Sequence, residues 1–86
     1  MTDGPYPYYT LIYCTADGAG FPAVSAFPDD QTAIAHARER LARESLDHLV
    51  AVVVGRGPEH DFALVGAWAC DSRGRLTWDS PRGRTR

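Results

Sequence analysis

The stretch FPDDQTAIAHARERLARE, residues 27–44, decides how this chain folds, because its apolar residues recur with helical spacing. At about 100° per residue, Ala33, Ile34, Ala37 and Leu41 gather on one narrow face. His36, Glu39, Arg40 and Arg43 gather on the opposite one. Asp29 or Asp30 can accept the free N–H groups of the first turn, and either favours the positive end of the helix dipole. Pro28 sits just outside, where its missing N–H costs nothing. Glu39–Arg43 and Arg40–Glu44 are i,i+4 pairs in the favourable order. The buried stripe is mostly alanine, so the helix should lie close against a sheet.

The flanking segments supply that sheet. YYTLIYCTA, residues 8–16, is β-branched and aromatic, and both of its alternating sets are apolar. Tyr9, Leu11 and Tyr13 fall on one side, and Tyr8, Ile12 and Cys14 on the other. Such a strand is expected in the middle of a sheet, covered on both faces. DGAG (17–20) is a turn, and PAVSAF (22–27) is a short strand whose proline suits an edge. LVAVVVG (49–55) is an unbroken buried-type run, and GRGPEHD (55–61) is a loop. FALVGAWAC (62–70) sets Phe62, Leu64, Trp68 and Cys70 against a small-residue set. DSRG (71–74) turns into RLTWD (75–79), with Leu76 and Trp78 inward and Arg75, Thr77 and Asp79 outward. The expected fold is α+β, ββαβββ, with one helix packed on one face of a mostly antiparallel sheet. Eighty-six residues make one domain, with residues 1–7 an arm and 81–86 a loose tail.

One helix covers one face, yet two strands look apolar on both. The arm, a second copy or another partner should therefore cover the remaining face. Tyr8, Tyr9 and Tyr13 are candidates for self-association there, since tyrosine buries much area while keeping a polar handle.

Composition narrows the function classes. An apolar fraction of 44% and a charged fraction of 23% are ordinary for a globular protein. No apolar run approaches the roughly 20 residues of a membrane span, and MTDGPYPYY carries neither the basic nor the hydrophobic region of a secretory signal. A cytoplasmic location is expected. Net charge is −2 but uneven: residues 1–37 hold four aspartates and no basic residue, while all nine arginines follow. There is no lysine, which a GC-rich genome of bacterial or phage origin would also produce. Cys14 and Cys70 read as buried thiols; a disulfide would need them on neighbouring strands and on one face.

Catalytic, metal and cofactor signatures are not expected anywhere. His36 has no nucleophile or orienting carboxylate placed beside it. Glu59, His60 and Asp61 are adjacent in a loop, where side chains diverge rather than converge on an ion. GRG (55–57) lacks the helix and G-K-[ST] of a phosphate loop. The expected function is a small non-enzymatic protein–protein interaction module. It would be a regulator or a phage-type inhibitor of host defence, anti-CRISPR-like, acting by surface contact. Asp29, Asp30, His36, Glu39, Arg40 and Arg43 are its partner-contact candidates, and a homodimer is expected. One alternative is a ligand-binding or enzymatic domain with a pocket at a dimer interface, lined by Tyr13, Trp68 and Trp78. Another is an RNA-contacting accessory protein using Arg73, Arg75, Arg82, Arg84 and Arg86, although an acidic chain is a poor general nucleic-acid binder.

Overall fold

The computed structural model describes residues 6–44 and 49–81. Its elements are β1 (Tyr8–Thr15), β2 (Gly20–Ala26), α1 (Asp30–Glu44), β3 (Leu49–Arg56), β4 (Ala63–Cys70) and β5 (Leu76–Asp79). The α+β class and the ββαβββ order follow the sequence pattern. The strands form one antiparallel sheet in the order β2-β1-β3-β4-β5. Consecutive strands are joined by hairpins except at α1, which carries the chain from β2 across β1 to β3. Residues 1–5 of the expected arm and 82–86 of the expected tail lie outside the described residues.

Asp29 resolves the start of the helix. Its carboxylate accepts both the backbone N–H and the hydroxyl of Thr32, each at 2.8 Å, and its carbonyl accepts from the Ala33 N–H at 3.2 Å. Asp29 is thus the N-cap, which frees Asp30 for another task. Ala33, Ala37 and Leu41 are completely buried on the sheet side. Small alanines let α1 settle low over the centre of the sheet, above Val52 and Val54.

The core is therefore one-sided. Tyr9, Leu11 and Tyr13 from β1, with Val52 and Val54 from β3, lie under the helix. Phe27 closes the β2 end, edge-on to Tyr9 with ring centroids 5.8 Å apart. Trp68 and Trp78 stand side by side at the β4–β5 end, centroids 5.3 Å apart. The Trp68 indole N–H donates to the Ile34 carbonyl at 3.0 Å. Gly66 is the floor of the Trp78 ring, since a Cβ there would lie 2.3 Å from it.

The large–small alternation expected along 62–70 does not hold. The register slips between Val54 and Gly55, so Val65 is an unpaired bulge residue and everything before it changes face. Trp68 and Cys70 lie on the helix side, whereas Leu64, paired with Gly55, lies on the other. Phe62 also lies there, folded over Gly55: a Cβ on Gly55 would come within 2.0 Å of its ring.

Candidate interaction surfaces

The face of the sheet away from α1 is built from the other half of each strand. Tyr8, Thr10, Ile12 and Cys14 of β1 lie beside Ala26, Val24, Pro22 and Gly20 of β2. On the other flank Ile12 pairs with Val53, Cys14 with Ala51, and these in turn with Ala67 and Ala69. At one end Phe62 lies over Gly55, and Thr10 is completely buried with its hydroxyl bonded to the Gly57 carbonyl at 2.9 Å. Among the described residues nothing else lies over this face. Tyr8 is 60%, Leu64 54% and Val24 45% exposed, and Ile12, Val53 and Cys14 are half-exposed between them. Its centre carries no charged residue; Arg75 and Asp79 stand only at the β5 margin.

Of the three tyrosines expected at a self-association surface, Tyr8 alone faces this way. Tyr9 and Tyr13 are buried on the helix side. Strand alternation sends them there with Leu11, and α1 covers that set because it crosses the sheet above β3. A residue covered by the chain's own helix cannot also contact a second copy.

The polar groups picked out in the sequence are mostly engaged within the chain. Asp30 receives the Tyr9 hydroxyl at 2.5 Å and the Arg56 Nε at 3.1 Å, and a second guanidinium nitrogen of Arg56 makes the pair bidentate. This cluster ties the first turn of α1 to β1 and β3. Burial first, and then the bond to Asp30, raise the Tyr9 phenol above its ordinary value of 10.0. A phenol held neutral, a carboxylate already accepting three donors and a guanidinium do not make an acid–base pair for neutral pH. Hydrogen bonds from Thr32, the backbone one foremost, hold the Asp29 carboxyl below 3.8. Asp29 and Asp30 thus serve the helix start.

The helical stripe also divides. His36 is half-buried rather than on the solvent face, its ring packed on Phe27 at 5.1 Å between centroids. Arg40 lies over the Tyr13 ring at 5.3 Å and Arg38 over Trp68 at 5.5 Å. The alanine stripe is so narrow that the longer side chains beside it reach the sheet and roof its aromatics. Glu39 and Arg43 remain outward, 3.6 Å apart as the expected i,i+4 pair. The Arg40–Glu44 pair lies outside the described side chains.

A cleft of about 470 Å³ opens where α1 begins and β4 meets β5, lined by Gln31, Ile34, Arg56, Leu64 and Trp78 among others. It differs from the pocket expected of Tyr13, Trp68 and Trp78. Those three do share one cross-strand row, but Val52 separates Tyr13 from Trp68 and α1 crosses above it. Arg73 and Arg75 flank the β4–β5 turn, where their backbone N–H groups both donate to the Asp71 carboxylate at 2.9 Å. Arg82, Arg84 and Arg86 lie outside the described residues. Cys14 and Cys70 are free thiols on opposite faces, with β3 between their strands. Among the described residues no group of three His, Cys, Asp or Glu could hold a metal ion, and Glu59, His60 and Asp61 are exposed in their loop. No helix there is long and apolar enough to cross a membrane.

Arg56 is the residue that local reading missed. It appears in the sequence as part of a Gly-Arg-Gly loop, and its partner stands 26 positions earlier. Comparisons with protein-family models, with curated proteins and with solved structures gave no match.

Proposed function

We propose that this chain is a non-enzymatic protein–protein interaction module, a cytoplasmic regulator or phage-type inhibitor that acts by surface contact. The observation that carries this reading is the apolar sheet face opposite α1, which has no charged residue at its centre. Ile12, Val53 and Val24 are β-formers on a surface where alternation would ordinarily place polar residues. Contiguous apolar surface of this kind marks contact sites. The polar contacts favour the same reading, since Asp29, Asp30, Tyr9 and Arg56 are engaged in holding the helix start. The partner surface is expected to be apolar at its centre, matching Ile12 and Val53, and able to bond the Tyr8 hydroxyl at its rim.

Site-specific photocrosslinking in the native host tests this. A crosslinker replacing Val24, on the open face, should capture one protein species in high yield. The same group replacing Arg43, on the outer side of α1, should not. Capture at Arg43 with none at Val24 would move the contact to the helix and overturn the assignment.

A further inference from the structure

Among the described residues the sheet ends in two edges, and they are not equivalent. Hydrogen bonds from Phe27 N–H to the Pro7 carbonyl at 3.2 Å and from Thr15 N–H to the Ala19 carbonyl at 2.9 Å fix the phase of the β1–β2 ladder. Phe21, Ala23 and Ser25 therefore bond inward to β1, and Gly20, Pro22, Val24 and Ala26 turn their backbone groups outward. Pro22 stands amid that outward set and has no N–H to offer, so β2 is blunted against strand addition.

At the opposite edge the Asp71 N–H bonds to the Arg75 carbonyl at 3.0 Å. By the same alternation Thr77 and Asp79 bond inward to β4, and Leu76 and Trp78 present both backbone groups outward. No proline interrupts β5. We propose that β5 is a self-pairing edge: two copies join antiparallel through it, with Leu76 opposite Trp78 of the second copy, into one continuous sheet.

The sequence Arg75-Leu76-Thr77-Trp78-Asp79 complements itself in this register. Each outward N–H and C=O of Leu76 and Trp78 meets its counterpart. On the helix side, the half-exposed Leu76 and Trp78 form apolar cross-strand pairs. On the open side, Thr77 meets its own copy at the two-fold axis, and Arg75 lies opposite Asp79 at both ends. The neighbouring registers lose this match. Pairing Leu76 with itself sets Arg75 opposite Thr77, and pairing Trp78 with itself sets Asp79 opposite Thr77. A two-fold axis normal to the sheet keeps both helices on one side, so the two open faces would adjoin as one surface. The edge proposal stands independently of what that surface binds.

Charge reversal tests the register. The edge is short, so association is expected at the weak end of protein interfaces, and sedimentation velocity should be run up to about 100 µM. Wild type should dimerise. Arg75→Asp makes both ends negative and Asp79→Arg makes both positive, and each variant alone should self-associate at least about tenfold more weakly. An equimolar mixture of the two should recover a dimer, because every end then meets its opposite; circular dichroism checks that both variants are folded. A wild type that stays monomeric throughout would overturn the proposal. So would a dimer that both reversals leave intact, or one abolished by Val53→Glu and untouched by the charge pair, which would assign association to the open face.

Discussion

The two faces of this sheet are made from the same strands and nearly the same residue types, yet they end in different states. On β1, Tyr9 and Leu11 are each 1% exposed, while Tyr8 next to them is 60% exposed. On β3, Val52 is fully buried, and Val53 beside it is only half-covered. One face has a helix over it, an alanine stripe fitted to it and a Tyr9–Asp30–Arg56 cluster locking that helix in place. The other, among the described residues, has Phe62 at one end and little else. Among the described residues, apolar patterning on both sides of these strands is matched by cover on one side only.

Emptying the covered face should produce the largest effect. Leu41→Ala leaves a cavity between α1 and the sheet and is expected to cost about 2–5 kcal/mol in urea unfolding. A loss below about 1 kcal/mol would mean that α1 is packed far more loosely than its complete burial of Leu41 implies.

Tyr9→Phe sharpens the comparison by removing only the polar tie under the helix. Loss of the bond to Asp30 should cost about 0.5–1.5 kcal/mol at neutral pH. The same variant should alter the alkaline limb. The native phenol titrates above 10.0, so its contribution is complete below that value and fades as pH rises from there toward the native one. Wild type should lose stability over that interval, and Tyr9→Phe should lose correspondingly less. Parallel pH–stability curves would contradict the raised phenol.

A smaller effect is expected at the N-cap. The Asp29 carboxyl titrates below 3.8 in the folded chain, so its stabilisation is full above that value and disappears as pH falls from there through the native one. Asp29→Ala should therefore melt below wild type near neutral pH, and the two melting temperatures should converge in acid. A gap that persists unchanged in acid would mean that Asp29 acts through something other than its carboxylate.

Much of this fold was legible because its signals are local. A cap three residues before Thr32, alanines at helical spacing, Asp-Gly and Arg-Gly turns with positive φ at Gly18 and Gly74, and the double apolar alternation of β1 all lie within a few positions. Counting one helix against two doubly apolar strands shows that α1 alone leaves one face without cover, and the described residues leave that face largely open. Less legible was whatever depends on register. A single bulge at Val65 sends Leu64 to one face and Trp68 to the other, and no local propensity marks it. His36 and Arg40 were misplaced because periodicity gives direction but not reach. On so narrow a stripe of alanine, their length brings them down onto Phe27 and Tyr13. The Asp30–Arg56 pair was invisible because strand order alone brings β3 beside the helix start.

The difference between the faces is tested most directly by a matched pair on β3. Val52→Ala and Val53→Ala remove the same atoms from adjacent residues that point to opposite sides. Their unfolding free energies would be measured in urea at a concentration low enough to keep the chain monomeric. The expected result is a loss of about 1.5–3 kcal/mol for Val52→Ala and less than about half of that for Val53→Ala. Equal losses would mean that both faces are needed to hold the free chain together, and that the open face is not surplus to the fold.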